Sequence, residues 1–152
     1  MLKNNYETVI HNAPDPEIFF SDNNGQKISS EKIKLIATSW SDNPGKGFDI
    51  YHYLDENLDF GRYEMTFIGR ADRQFKNIKM INPVPSRKVA EYLRNHDIFI
   101  FASKLEACSN SLLEALRCDL PAVVRNTSSN PEILGKGGEV FTNEGDIKAK
   151  ID

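Results

Sequence analysis

The sequence predicts an α/β fold, a three-layer Rossmann-like sandwich built on a mainly parallel sheet. Two short apolar runs, Ile98–Ala102 and Leu120–Val124, are typical of strands that are covered on both faces. An amphipathic helix lies between them, and apolar runs upstream alternate with helical patterns in the same way. In open sheets of this kind the ligand crevice lies at the carboxyl ends of the strands. We therefore expect the functional residues in the loops that follow the strands.

Composition favours a single domain without a large electrostatic surface. The chain has 152 residues, which fit one core, and a formal net charge of -3, which argues against a nucleic-acid partner. Its two cysteines, Cys108 and Cys118, lack paired spacing, so we expect reduced thiols in a cytoplasmic protein and no zinc site. No apolar stretch of membrane-spanning length occurs, and residues 1–6 lack the apolar region of a signal peptide. The chain is expected to be soluble.

The first 26 residues are interpreted as an interdomain connector and a loop. Pro14 and Pro16 interrupt the segment from Tyr6 to Phe20, which favours extended chain and a turn. A polar, glycine-containing loop follows from Ser21 to Ser30. Residues 27–152 are predicted to form the ligand-binding domain, incomplete at its C-terminus.

The first strand of the sheet is predicted at Lys32–Thr38, and a polar loop leads from it into a helix at Phe48–Leu58. Tyr51, Leu54 and Leu58 recur at helical spacing in that helix. Lys46 lies in the loop, at the place where an α/β sheet binds its ligand. The alternative for Lys46 is an ordinary exposed loop lysine.

Two further strands and a helix are predicted before the apolar run Ile98–Ala102. Tyr63–Ile68 forms a strand that ends at Gly69-Arg70, and Ile78–Ile81 forms the next. Arg70 could supply a cation or be a solvated charge. A helix then runs from Ser86, predicted as its N-cap, to Arg94, with Val89, Ala90 and Leu93 facing inward.

The loop after Ile98–Ala102 carries the acidic residues of most interest. Glu106 lies in this loop, and Glu114 follows eight positions later on the helix. The alternative for Glu114 is structural, because Ser111-Leu112-Leu113-Glu114 matches a capping box. Glu106 could likewise be an ordinary loop acid.

The C-terminal part of the chain continues the same alternation. A polar loop after Val124 runs into a short helix with Pro131 at its first position and Glu132 in its first turn. A turn and a last short strand follow at Gly135–Phe141, and the chain stops inside what is predicted to be another helix.

Glu106 and Glu114, together with the run from Glu114 to Pro121, resemble the Glu-x7-Glu segment of retaining glycosyltransferases of GT-B fold, in particular glycosyltransferase family 4 (glycosyl transferases group 1). Other pieces occur in the family's order. They are the connector from Val9 to Phe19, Lys46-Gly47, the loop Asn82–Pro85 and Pro131-Glu132. Three places depart from the family pattern. Trp40 stands where an arginine is usual, Ala13-Pro14 replaces Gly-Val, and Ser128-Ser129 replaces a glycine pair.

The resemblance implies the nucleotide-sugar donor-binding domain, the C-terminal half of a GT-B enzyme of hexosyltransferase type. It implies that Lys46 and the N–H groups near Ser109–Ser111 meet the diphosphate, that Glu106 orients the sugar and that Glu114 holds the ribose. The N-terminal acceptor-binding domain is absent, so the isolated domain is expected to be inactive. The full-length protein would be cytoplasmic and could lie at the membrane periphery, with a glycan, lipid or other hydroxyl compound as acceptor.

The site residues that the resemblance implies are Glu106 and Lys46 as catalytic residues, and Glu114, Ser109, Asn110, Ser111, Val84, Trp40 and Arg70 as substrate-binding residues. No cofactor or metal is expected, since no Asp-x-Asp motif occurs and no His or Cys cluster offers ligand spacing.

Two other classes of function are compatible with alternating strands and helices. A GT-B nucleotide-sugar epimerase would share the diphosphate site without needing Glu106 beside the sugar. A non-catalytic flavodoxin-like or receiver module would need acidic residues that are missing here, because the relevant loops offer only Asp42 and no aspartate between Met80 and Arg94.

Overall fold

The computed structural model describes residues 12–22 and 31–152, which fold around one six-stranded parallel sheet. Its strands are β1 (Ile33–Ser39), β2 (Tyr63–Gly69), β3 (Lys79–Ile81), β4 (Ile98–Phe101), β5 (Ala122–Arg125) and β6 (Gly138–Phe141). Its helices are α1 (Phe48–Asn57), α2 (Ser86–Arg94), α3 (Asn110–Arg117), α4 (Asn130–Leu134) and α5 (Glu144–Ile151), and a 3-10 turn lies at Pro44–Lys46. None of the helices in these two ranges is both long and apolar enough to cross a bilayer.

The strand order is β3-β2-β1-β4-β5-β6, and every neighbouring pair is parallel. The chain first builds outward from β1 to β3 and then crosses to the other side of β1 to add β4. This reversal opens a crevice between the carboxyl ends of β1 and β4, where such sheets bind ligands. The predicted parallel α/β sandwich is confirmed, whereas a flavodoxin-like module would have the strand order 2-1-3-4-5.

Each face of the sheet carries its own apolar core. Leu35 and Ala37 point to a core shared with α1 and α5, whereas Ile36 points to a core shared with α2, α3 and α4. This alternation within β1 follows from the two-residue period of a strand. Both faces are therefore covered, which explains why the apolar runs Ile98–Ala102 and Leu120–Val124 contain β4 and most of β5.

The predicted strands and helices are found with small shifts at their ends. The largest shift is at β5, which begins at Ala122 rather than Leu120. Asp119 adopts a positive φ of 54°, and the N–H of Leu120 still bonds to the carbonyl of Ala115. Leu120 therefore closes the end of α3 before the strand starts.

Two predicted helix starts need correction. Pro85, not Ser86, is the N-cap of α2, and no side chain caps this helix. Pro85 has extended backbone angles, and its carbonyl accepts from the N–H groups of Lys88 and Val89. The short helix α4 begins at Asn130, one residue before Pro131.

The described part of the connector packs against the domain. Phe19 is buried in the core beside α2 and α3. Arg94 at the end of α2 donates to the carbonyl of Ile18 (3.3 Å), and its guanidinium lies 4.5 Å from the ring centre of Phe20. The predicted domain boundary at residues 26 and 27, the first part of the connector (Val9 to His11) and most of the polar loop lie outside the described residues.

A buried aspartate on α1 holds the segment that leads into β3. Asp55 is 3% exposed and accepts three backbone hydrogen bonds of 2.8 Å, from Lys76, Asn77 and Ile78. Burial by itself raises the pKa of Asp55, but these hydrogen bonds outweigh burial and hold the pKa below its usual 3.8.

We expect Asp55→Asn to destabilise the protein by about 2–3 kcal/mol near neutral pH, because an amide cannot accept all three hydrogen bonds of a carboxylate. The stabilising effect of a lowered pKa is present above the unfolded-state pKa and is lost as pH falls through the folded-state pKa. Denaturant unfolding should therefore show a difference between wild type and variant that shrinks below the usual pKa of 3.8.

Asp59→Asn is the matched control. Asp59 is exposed and accepts one backbone hydrogen bond, from Gly61 (2.9 Å). Its replacement should cost about 1 kcal/mol or less. Equal effects of the two substitutions would contradict the role assigned to Asp55.

Candidate functional site

The loop after β1 is held against the end of β4. The 3-10 turn Pro44–Lys46 ends at Gly47, whose φ is 81°. A Cβ atom on Gly47 would lie 1.9 Å from the carbonyl oxygen of Ala102, so only glycine permits this close approach. The N–H of Lys104 also donates to the carbonyl of Gly45 (2.8 Å). The position of Lys46 beside β4 is therefore set by backbone contacts.

Lys46 and Glu106, both predicted as catalytic residues, contact each other. Their Nζ and Oε1 atoms are 2.5 Å apart, although the residues are separated by 60 positions in the chain. The Oγ of Ser103 donates to the same carboxylate oxygen (2.9 Å). The side chains of Lys46 and Glu106 are 33% and 17% exposed, so the ion pair lies partly shielded from solvent.

Two serines from the loop between β5 and α4 hold the backbone of Glu106. Ser128 Oγ (2.5 Å) and Ser129 Oγ (2.9 Å) donate to the Glu106 carbonyl, and the Glu106 N–H donates to Ser128 Oγ (3.3 Å). Ser128 adopts a left-handed φ of 54°, which explains why glycine suits this position in the pattern that the chain resembles. Here the hydroxyl contacts offset the strain of a side chain.

The N-cap of helix α3 differs from the one that the capping-box alternative requires. Ser109 is the N-cap, with extended backbone angles, and its Oγ accepts from the N–H of Leu112 (3.4 Å). Ser111 is the second residue of the helix and only contacts the Ser109 hydroxyl (3.0 Å). The capping box of Ser111 and Glu114 is therefore wrong, because Glu114 lies in the second turn, too far along to close the helix start.

Glu114 is half-buried, and its carboxylate has no partner among the residues that the structure describes. Its carboxylate forms no hydrogen bond or ion pair with any residue in ranges 12–22 and 31–152. Burial raises the pKa of Glu114 to about 7. A carboxylate in this state gains strongly from ligand groups that donate hydrogen bonds, such as hydroxyls.

A cavity of about 140 Å³ lies at the crevice between β1 and β4. Three of the predicted residues, Trp40, Lys46 and Ser111, line it together with Thr38, Ser39, Ser41, Tyr51, Phe101 and Ser103. Trp40 is 46% exposed and stands at the mouth of the crevice. The structure thus places the predicted lysine loop and the start of α3 around one space.

Other predicted residues lie near this edge of the sheet but do not line the cavity. Val84 is partly buried, and its side chain packs against the core beside α2. Arg70 follows β2 and donates its N–H to the carbonyl of Ser39 (2.8 Å), while its side chain is exposed. Asn110 is exposed at the start of α3 and accepts from the side chain of Asn12 (3.3 Å).

Sequence reasoning missed three residues that support the site. Ser103 is 1% exposed and contacts Glu106, and the fully buried Asn130 donates to the Ser103 carbonyl (2.9 Å). The hydroxyl of Tyr51 accepts from the N–H of Ala102 (3.2 Å), and burial raises the pKa of Tyr51 to about 12. A serine directly after a buried strand was a usable signal for Ser103, whereas Tyr51 read only as part of an apolar helix face.

A second group of charges lies beside the lysine loop. Asp49 at the start of α1 pairs with Arg125 (2.6 Å) and Lys104 (3.2 Å). Burial raises the pKa of Asp49, but these two cations outweigh burial and hold the pKa below its usual value. Both cations are thus already paired with a carboxylate.

A cavity of about 690 Å³ lies elsewhere. It is lined by residues of β1, β2, β3 and α2, including Lys34, Thr66, Lys79 and Tyr92, and by none of the predicted site residues.

The cysteines and the acidic side chains offer no further kind of site in the described part of the chain. Neither cysteine forms a disulfide. Residues 12–22 and 31–152 contain no group of three or more His, Cys, Asp or Glu side chains placed to hold a metal ion.

Comparisons with known proteins bear on the family and the fold of this chain. The family model described as "Glycosyl transferases group 1" matches residues 69–152. The chain is similar to the phosphatidylinositol N-acetylglucosaminyltransferase GPI3 subunit of Saccharomyces cerevisiae. For strain YJM789 the identity is 26% over an alignment of 155 positions, which covers 90% of this chain and 34% of that protein. For strain S288c the identity is 31% over an alignment of 133 positions, which covers 78% of this chain and 29% of that protein. The chain thus spans about a third of the length of these relatives.

Two solved structures share the fold. The C-terminal domain of the glycosyl transferase group 1 family protein LpcC from Francisella tularensis superimposes with a TM-score of 0.71 at 20% identity, covering 92% of this chain and 86% of that one. Sucrose-phosphate synthase from Thermosynechococcus elongatus gives a TM-score of 0.70 at 12% identity, covering 91% of this chain and 41% of that one. These likenesses confirm the predicted fold, that of the C-terminal half of a GT-B protein.

The buried carboxyl group of Glu114 predicts a pH-dependent stability. Its folded-state pKa of about 7 lies above the ordinary 4.5, so ionisation of this carboxyl group destabilises the folded protein. The destabilisation begins as the pH rises above the ordinary pKa, and it is complete above the folded-state pKa. Glu114→Gln should therefore raise the melting temperature at pH 8 and leave it unchanged at pH 4. Because the group is partly solvent-accessible, we expect a gain of about 1 kcal/mol.

Thermal unfolding of the variant at both pH values checks this expectation. Glu132→Gln, at an exposed glutamate on α4, is the control for removing one negative charge. A lower melting temperature for Glu114→Gln at pH 8 would contradict this expectation, because it would mean that the ionised carboxylate stabilises the fold through a protein partner.

Proposed function

Because the chain belongs to the glycosyl transferases group 1 family, we propose that it is the nucleotide-sugar-binding domain of a retaining glycosyltransferase of family 4 and hexosyltransferase type. The observation that carries this proposal is the meeting of Lys46 and Glu106 at the crevice between β1 and β4. The whole enzyme would move a sugar from a nucleoside diphosphate to an acceptor hydroxyl with the anomeric configuration kept.

The diphosphate is proposed to lie between Lys46 and the start of α3. The ammonium group of Lys46 lines the cavity from one side, and Ser111 in the first turn of α3 lines it from the other. The Ser109 hydroxyl satisfies the N–H of Leu112, which leaves the N–H groups of Asn110 and Ser111 to face an anion. Together these groups would stabilise the charge that develops on the departing diphosphate.

The two glutamates are proposed to bind different parts of the donor. Glu106, held by Ser103 and by the serines of the next loop, would orient the sugar hydroxyls. Glu114, half-buried and without a protein partner in the described part of the chain, would accept hydrogen bonds from the ribose. Val84 would contact the base through its backbone, since its side chain packs partly against the core.

Trp40 is a departure of this site from the family pattern, in which an arginine is usual at that position. An indole offers one N–H donor and no permanent charge, whereas an arginine would offer a fork of donors. Arg70 does not line the cavity. We therefore propose that Lys46 is the main cation for the diphosphate on this wall of the cleft.

The acceptor and its binding domain are proposed to lie outside this chain. The similar yeast protein is named as a subunit of a phosphatidylinositol N-acetylglucosaminyltransferase, which favours an N-acetylglucosamine donor and a lipid acceptor. A glycan or another hydroxyl compound would use the same chemistry. An N-terminal domain would supply the second wall, and the full-length protein would work in the cytoplasm at the membrane periphery. The isolated domain would be inactive, and no metal would be needed.

Calorimetric titration of the chain with UDP, GDP and ADP, each alone and as its hexose or N-acetylhexosamine derivative, tests the proposed function. We expect one base to bind, with a dissociation constant of roughly 100 μM or weaker, because one wall of a cleft makes only part of the contacts. Addition of EDTA should leave binding unchanged, since Lys46 and helix N–H groups meet the charge instead of a metal ion.

Three outcomes would contradict the proposal. Binding of none of these compounds would remove the nucleotide site. Loss of binding with EDTA would require a metal ion at the diphosphate. Sugar transfer to an acceptor by the chain alone would show that the second wall is not needed.

Three substitutions test which side chain meets the diphosphate. Lys46→Ala should cost about 2–3 kcal/mol of nucleoside-diphosphate binding, because a charge-assisted contact is lost. Trp40→Arg should tighten binding by restoring a fork of donors. Arg70→Ala should change the dissociation constant by less than about twofold, as expected for an exposed charge.

Lys136→Ala, in the exposed turn between α4 and β6, is the control for removing a lysine charge. It should leave the dissociation constant unchanged within error. If Arg70→Ala alone abolished binding, the cationic contact would belong to the loop after β2, and Lys46 would leave the list of site residues.

A further inference from the structure

Lys46 is already neutralised before any donor arrives. Its ammonium group lies 2.5 Å from Glu106 in the structure, and both side chains are mostly shielded from solvent. The proposed function assigns the two groups to different parts of the donor, Lys46 to the diphosphate and Glu106 to the sugar. Occupation of the site therefore brings a second anion to Lys46 and new groups to Glu106.

The two kinds of ligand differ in what they offer Glu106. A bare nucleoside diphosphate attracts Lys46 and at the same time brings its own negative charge close to the Glu106 carboxylate, which raises the free energy of the complex. A nucleotide sugar brings the same diphosphate together with hydroxyl groups that can donate to Glu106 in place of the lysine. Only the second ligand compensates both members of the ion pair.

Neighbouring groups restrain Glu106 from rotating away from the negative charge of a bound diphosphate. Its backbone carbonyl is held by Ser128 and Ser129, its backbone N–H donates to Ser128, and its carboxylate accepts from the buried hydroxyl of Ser103. Ser103 is in turn fixed by Asn130, which is fully buried and donates to its carbonyl. With the Ser103 contact, this anchoring favours a carboxylate that stays beside Lys46, next to the position proposed for the diphosphate.

We infer that Glu106 is a specificity-determining residue that makes the site select a sugar-bearing diphosphate over the bare nucleoside diphosphate. The inference rests on the proposed function and adds a mechanism to it. When the sugar has been transferred, the remaining nucleoside diphosphate loses the hydroxyls that had occupied Glu106. The carboxylate then competes with the product for Lys46, which weakens product binding.

The test compares the dissociation constants of a bare diphosphate and its sugar derivative, for example UDP and UDP-N-acetylglucosamine, or the pair of whichever base binds. Wild-type protein should bind the sugar derivative several-fold more tightly. Glu106→Gln keeps the shape of the side chain but removes its charge. It should bind the bare diphosphate about five- to tenfold more tightly than wild type, because Lys46 is released and the like charge is gone.

The same variant should bind the sugar derivative no more tightly than wild type, so that selectivity falls by about tenfold. Glu132→Gln, which removes an exposed charge on α4, should leave both dissociation constants unchanged. Thermal unfolding establishes that each variant is folded.

Several results would overturn the inference. Weaker or unchanged binding of the bare diphosphate by Glu106→Gln would do so, as would a wild-type protein that binds the bare diphosphate at least as tightly as the sugar derivative. The wild-type comparison can overturn the inference even if the variant does not fold. Failure of the proposed function looks different, because wild-type protein would then bind neither ligand.

Discussion

The geometry of the site depends on one close backbone contact, between Gly47 after the lysine turn and the carbonyl of Ala102 at the end of β4. A parallel sheet with this strand order leaves β1 and β4 side by side but sends their loops in opposite directions. The contact closes the gap between those loops. A hydrogen bond from the N–H of Lys104 to the carbonyl of Gly45 reinforces it. Lys46 and Glu106 meet because the backbones that carry them have already been brought together.

The sequence was sufficient for the sheet and its helices because the physical signals were local. Apolar runs marked strands covered on both faces, and Val89, Ala90 and Leu93 marked the inner face of α2. What it could not provide were contacts between distant segments. The pairing of Lys46 with Glu106 joins residues 60 positions apart, and nothing in either local sequence encodes it. Family resemblance named both residues but assigned them separate roles.

Helix starts were the weakest part of the sequence interpretation, and the reason is physical. Ser109 and Ser111 are both good N-cap residues, and so is Ser86 beside Pro85. The choice between neighbouring candidates depends on the backbone angles of the preceding loop, which tertiary contacts determine. In α3 that choice has consequences for the site, because capping by Ser109 leaves Glu114 out of the helix start. Its carboxylate is then half-buried with nothing in the described protein to donate to it.

The charges around the crevice explain why this wall alone should bind a diphosphate only weakly. Lys46 is paired with Glu106, and the nearby Arg125 and Lys104 are both paired with Asp49. Any diphosphate must therefore draw its positive contacts from a lysine that already has a partner and from the N–H groups at the start of α3. Where an arginine would add a permanent cation, the chain has Trp40, partly exposed at the mouth of the crevice. Under the proposed function, further positive charge would come from the domain proposed for the opposite wall, so that tight binding and closure of the cleft would be the same event.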